Sequence, residues 1–171
     1  QIKIEAGDIQ GVNHGLASLL QLIMTAKDAQ LPVLTIQDKP AFGYRGLMLD
    51  CARHFWTVDE LKETLDHMAF FKLNTLHMHL TDNQAWRLSM DKYPDLVKEG
   101  TYYYDFPELS GKYYSKEDLK EIVTYAGTRG IEIIPEVDLP GHSIALLAAL
   151  PELSCRGGKF EATPEERDWN K

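Results

Sequence analysis

The chain has 171 residues, 44% of them hydrophobic, with a formal net charge of −8 and an isoelectric point near 5.2. That balance disfavours a polyanionic partner, because no basic patch interleaved with aromatics offers a nucleic acid or an acidic membrane surface a footprint. No apolar run reaches the roughly 18 residues a bilayer span requires, the opening QIKIEAGDIQ lacks a basic-then-apolar secretion signal, and Cys51 and Cys155 stand too far apart for a metal-type cluster.

In chain order, residues 2–4 suit a short strand and residues 14–27 carry Leu16, Leu19, Leu20 and Ile23 on one helical stripe. Residues 31–36 are again extended in character, and QDKPAFG, residues 37–43, has the polar and Pro/Gly content of a connector. A domain boundary is expected there. YRGLML, residues 44–49, predicts a strand ending at Asp50, and Thr57 with Glu60 forms a capping-box signature for a helix over 58–71. In residues 73–80, Leu76, Met78 and Leu80 alternate with Thr75, His77 and His79, which predicts a strand with one polar-bearing face. The stretch 81–114, rich in Asp, Pro, Gly and Tyr, is longer than an ordinary connector and predicts a functional loop or small excursion. Ser115 and Asp118 open a second capped helix that Gly130 stops, residues 131–137 read as a strand, and Ser143 opens a short helix ended by Pro151.

Strand, helix, strand, helix, strand, helix argues for parallel strands with crossovers, as in a doubly wound sheet or a (β/α) barrel. No glycine-rich dinucleotide fingerprint follows the first strand. Instead Asp50, Asp82 and Asp138 recur just past the carboxyl ends of the three strands, where a barrel has its active-site mouth.

Several residues in that mouth bear chemistry. His77 and His79 share a strand face, and Asp82 beyond the strand end would complete a three-ligand metal set; the alternative is a pair of histidines satisfied by hydrogen bonds, His77 inside and His79 nearer the rim. In EVDLPGHS, residues 136–143, Asp138 and His142 bracket a Pro-Gly turn that aims both side chains, unless Asp138 merely caps the turn and His142 is exposed at a helix start. Arg53 and Asp82 lie on different strand-end loops that meet at the same mouth. An arginine there offers a rigid fork to hydroxyls or a carboxylate, and an aspartate facing a histidine fixes its tautomer. Trp56 and Trp86 suit either stacking on a sugar face or core packing, and the tyrosines 102–104, 113 and 114 suit either carbohydrate contact or a self-packed loop.

The segments YRGLMLDCARHFW (44–56), KLNTLHMHLTDNQAWR (72–87) and YYSKEDLKEIVTYAGTRGIEIIPEVDLPGH (113–142) resemble consecutive segments of the glycoside hydrolase family 20 β-N-acetylhexosaminidases, across residues 40–155. GVNHGLASLLQLI resembles the helix that ends the small α/β domain before that family's (β/α)8 barrel. The resemblance implies the end of a small α/β domain over 1–36, a linker over 37–43, and the amino-terminal portion of a (β/α)8 catalytic domain, about the first three βα units, over 44–171. It implies removal of terminal, non-reducing β-linked N-acetylglucosamine or N-acetylgalactosamine with retention, the substrate's 2-acetamido oxygen acting as nucleophile, with no metal and no cofactor. Carried over by position, Arg53 matches the arginine that binds the sugar's outer hydroxyls, Asp82 and His142 a pair that orients and tunes the general acid, Asp138 a further polar residue of the mouth, and Arg45 a structural position.

Two departures stand out. Ala85 replaces the glycine usual in the motif after the second strand. The adjacent Asp-Glu pair, which in the family orients the acetamido group and supplies the general acid at the end of the fourth strand, has no counterpart; the terminal EATPEERDWNK is acidic but does not resemble that strand. The chain is therefore expected to be inert alone and to act with the remainder of a catalytic domain on a carbohydrate bearing a terminal N-acetylhexosamine. An extracytoplasmic setting is expected from the resemblance. A metal-dependent barrel hydrolase and a catalytically inactive sugar-binding relative are the competing readings.

Overall fold

A computed structural model describes residues 1–28, 30–103 and 107–163. The tail from residue 164 onward and Tyr104 lie outside the described residues, so the expectations placed on them are not addressed by it.

Helix α1 spans Ile9–Thr25. It starts at Ile9 and not at His14 because Asp8 caps it, its carboxylate accepting from the Gly11 amide at 2.7 Å. The short strands expected at 2–4 and 31–36 do not form: neither segment pairs with another strand among the described residues, and extended character without a ladder partner leaves the backbone to solvent.

Strand β1 (Gly46–Asp50), helix α2 (Val58–Phe70), strand β2 (Thr75–His79), helix α4 (Lys116–Thr128) and strand β3 (Glu132–Glu136) follow the sequence reading closely, with the short helix α3 (Asp95–Lys98) inside the 81–114 excursion. Both capping boxes form, Thr57 with Glu60 and Ser115 with Asp118, each satisfying two orphan amides at a helix start. At the far end of α4, Gly130 takes φ +70°, the left-handed conformation that stops the helix. Helix α5 (Ile144–Ala149) begins after Ser143, whose hydroxyl bonds back to the turn carbonyls of Pro140 and Gly141 and does not cap the helix.

The three strands are parallel in the order β1-β2-β3. Leu76 and Met78 of β2, with Leu80 just beyond it, pack against Leu61, Leu65 and Met68 of α2 and Ile122 and Ala126 of α4 in one buried cluster. Burying a leucine or methionine side chain contributes about 1.5–3 kcal/mol, so this cluster is the main attachment of the helices to the sheet. Both crossover helices lie on the same face. A doubly wound sheet would put helices on both faces, whereas successive βα units with all helices outside are the arrangement of a (β/α)8 barrel. Among the described residues the sheet is open and forms an incomplete barrel of three βα units.

Candidate active site

Parallel strands place residues of one register rung on the same face. The inner rungs are Gly46–Thr75–Glu132, Met48–His77–Ile134 and Asp50–His79–Glu136. The last of these lies at the carboxyl ends of the strands and aligns a carboxylate, an imidazole and a carboxylate across the sheet. Asp82 follows on the loop after β2, and His142 on the loop after β3.

His79 is the hub of this cluster. Its Nδ1 lies 2.9 Å from Glu136 Oε1 and its Nε2 lies 2.9 Å from Asp82 Oδ2. Two ionised carboxylates are both satisfied by one imidazole only when both nitrogens carry protons, so this arrangement favours the imidazolium form. Burial opposes a charge there, but the hydrogen bonds to Asp82 and Glu136 and the negative field of Glu136 and Asp50 outweigh it and raise the His79 pKa above 6.5.

Asp82 is 1% exposed and fully engaged. Its Oδ1 accepts from the Asn83 amide at 2.6 Å and from His142 Nδ1 at 3.1 Å; its Oδ2 accepts from His79 and from Arg53 Nη2 at 2.7 Å. Burial alone would raise its pKa, yet the Asn83 amide, the two imidazoles and the Arg53 guanidinium hold it below the usual 3.8. For Glu136, too, burial is outweighed, by His79 and His77, and its carboxyl sits below 4.5.

Arg53 bridges Asp82 to Asp50, donating from Nη1 to Asp50 Oδ2 at 2.7 Å. Its Nη1 also lies 3.5 Å from His79 Nε2. Both groups are donors, so this is crowding of two cations around a shared Asp82 oxygen and not a hydrogen bond. His142 sits at φ +51°, a strained conformation for a side-chain-bearing residue that histidine tolerates better than most, and this turn brings its ring back over Asp82. With Nδ1 against Asp82 Oδ1, the His142 side chain is 51% exposed.

The structure thus brings Arg53, Asp82 and His142 into one cluster. Asp138 is anchored differently: its amide donates to Thr81 Oγ1 at 2.9 Å, and among the described residues its carboxylate makes no hydrogen bond to the cluster. His77 turns to Glu136 Oε2 at 2.5 Å, away from Asp82, so His77, His79 and Asp82 do not converge as a three-ligand set. Trp86 is buried with Leu96, Tyr103 and Ala145, its indole donating to Leu88 O, which removes it as a sugar platform. Trp56 stays half-buried beside His54, with its indole donating to Asp50 O. Arg45 lies at the opposite end of the strands, donating to the carbonyls of Lys72, Phe42 and Gly43.

Sequence reasoning assigned no role to Glu136 or Asn83. Glu136 is visible as the residue two before Asp138 on the same strand face, but its pairing with His79 depends on strand register. Asn83 Oδ1 accepts from the Ile144 amide at 3.2 Å and so ties the β2 loop to the start of α5, just past His142. A short polar residue next to Asp82 was the only local signal of this.

Residues 42–171 match the catalytic domain of glycosyl hydrolase family 20. A β-hexosaminidase of Porphyromonas gingivalis is 41% identical over 94% of this chain and 22% of its own length. The crystal structure of a β-N-acetylhexosaminidase from Bacteroides fragilis superposes with a TM-score of 0.84 at 35% identity, over 93% of this chain and 33% of that one. The Streptomyces plicatus N-acetyl-β-hexosaminidase in complex with thio-NAglucal gives 0.81 at 38% identity, over 92% and 33%. The chain therefore spans a third or less of the length of these relatives. By the extent of the domain match and the shared fold, this chain belongs to glycosyl hydrolase family 20.

Proposed function

We propose that the complete protein is a retaining exo-glycosidase that removes terminal, non-reducing β-linked N-acetylhexosamine by substrate-assisted catalysis. The chain described here supplies the wall of the pocket that binds the sugar and tunes the acid. The observation that carries this reading is the buried Asp82 carboxylate, which holds Arg53 on one oxygen and His142 on the other within a family 20 fold.

In this reading the Arg53 fork, already oriented by Asp50 and Asp82, binds sugar hydroxyls with little further loss of side-chain freedom. Asp82 fixes the His142 tautomer, so that Nε2 is left to accept from, and thereby orient, a proton-bearing group at the scissile bond. The imidazolium of His79 keeps Asp82 ionised. The general-acid glutamate and its neighbouring aspartate come from elsewhere in the catalytic domain.

The test is hydrolysis of an aryl N-acetyl-β-D-glucosaminide and its galacto epimer by the complete protein, with the first-formed anomer followed by NMR. β-Anomer released first, at a rate unaffected by a chelator, supports the reading. Release of the α-anomer, loss of activity with the chelator, or sugar binding without turnover would contradict it.

A further inference from the structure

Arg87 is 4% exposed, lies outside the cluster around Asp82, and takes no part in the reaction described above. Burying a guanidinium is costly unless its donors are met, and here all three nitrogens find main-chain carbonyls. Nε donates to Cys51 O at 3.0 Å, Nη2 to Ala52 O at 2.9 Å, and Nη1 to Lys112 O at 2.6 Å. The first two acceptors belong to the peptide units immediately before Arg53.

The other side of those same units is held too. The amides of Ala52 and Arg53 both donate to Asp50 Oδ1, at 3.1 and 2.9 Å. The Cys51–Ala52 peptide is therefore fixed at its carbonyl by Arg87 and at its N–H by Asp50, and so is the Ala52–Arg53 peptide. Neither plane can rotate without breaking a bond at each end. Cys51 and Ala52 are fully buried, and the Phe55 ring lies against the guanidinium with 5.4 Å between them, closing the loop over Arg87. Lysine would not substitute, because a compact ammonium lacks the planar fork that spans two successive carbonyls.

We infer that Arg87 is a positioning residue for Arg53: it sets the two peptide planes from which the Arg53 side chain departs, and so sets where the sugar-binding fork stands. The inference rests on the sugar-binding role proposed for Arg53. Misplacing such a group by about 1 Å is enough to cost up to about 100-fold in rate.

A double-mutant cycle in the complete protein tests this, with Arg87→Met and Arg87→Lys made alone and in an Arg53→Ala background. Two quantities are read, kcat/KM on an aryl N-acetyl-β-glucosaminide and the Kd for N-acetylglucosamine by calorimetry. Arg87→Met alone lowers kcat/KM by about tenfold or more, chiefly through KM, and weakens sugar binding in parallel. With Arg53 already absent, the same change costs less than about twofold, because its effect passes through Arg53. Arg87→Lys falls between wild type and Arg87→Met, and it carries the cycle if Arg87→Met does not fold. Equal losses in both backgrounds, or no loss with Arg53 present, would overturn the inference. If the unmodified protein binds N-acetylglucosamine without hydrolysing glycosides, the hexosaminidase reading falls while the Kd cycle still decides the role of Arg87. Absence of both turnover and binding overturns the two together.

Discussion

The two ends of this sheet use the same residue types to opposite purposes. At the carboxyl end, Arg53 and His79 face the carboxylates of Asp50, Asp82 and Glu136, and the charges concentrate at the strand ends. At the amino end, Arg45 faces carbonyl oxygens and His14, and α1 adds Gln10 and Gln21, which donate to Gly130 O and Phe70 O. Gln10, His14 and Gln21 share one helical face at i, i+4 and i+11, so the helix presents a polar stripe to the bottom of the sheet. Paired charges held in a fixed array can respond to a substrate. Neutral carbonyls capped by donors only tie one element to another.

The contrast makes the two regions separable by mutation in the complete protein. Asp82→Asn should have the largest effect, lowering kcat/KM by about 100-fold or more, because three side-chain donors lose their common anion and the His142 ring loses the carboxylate that orients it. Steady-state kinetics on an aryl glycoside reads this directly. His142→Ala should depress kcat by about 10- to 100-fold with a smaller change in KM if, as proposed, its ring acts on the proton donor more than on sugar binding. Arg45→Ala should do the reverse. It should cost about 1–3 kcal/mol in urea denaturation, through the lost bonds to Lys72, Phe42 and Gly43 carbonyls, and leave kcat/KM within about twofold.

The two histidines give the smallest but sharpest contrast, because they respond to pH with opposite sign. His79 has its pKa raised, so its stabilising contribution is fully present below its unfolded value of 6.5 and is lost as pH rises through the higher folded value. His14 is lowered, by burial first and then by the charges of Arg45 and Lys72, against the opposing pull of Asp38 and Asp8. Its contribution is present above 6.5 and is lost as pH falls through the lowered folded value. Urea midpoints measured against pH should lose part of their alkaline decline in His79→Gln and part of their acid decline between 6.5 and the lowered value in His14→Gln. A remaining acid limb, below 3.8 and 4.5, belongs to Asp82 and Glu136, whose depressed carboxyls lose their partners only on protonation.

Much of this architecture is legible locally. Thr57 with Glu60 and Ser115 with Asp118 announce their helices because a capping box is a contact between residues three apart. The period-two run through Leu76, Met78 and Leu80 announces which face of β2 packs against the helices. Arg53, Asp82 and His142 were also legible as residues at strand ends, and they do meet. What was not legible depends on register. Asp50, His79 and Glu136 form a row only once the three strands are aligned, and no local pattern sets that alignment. The same limit explains Trp86, whose aromatic character suited a sugar platform until the excursion folded over it. It explains residues 2–4 and 31–36 as well, where β-compatible sequence found no partner strand among the described residues.

The most direct measurement is kcat/KM for Arg53→Ala on an aryl N-acetyl-β-glucosaminide, taken with its thermal melt. The array at the carboxyl end predicts a loss of about 100-fold carried largely by KM, with a melting temperature within about 2–4 °C of wild type. Near-normal kinetics, or a loss explained entirely by unfolding, would contradict the assignment of this end of the sheet as a sugar-binding wall.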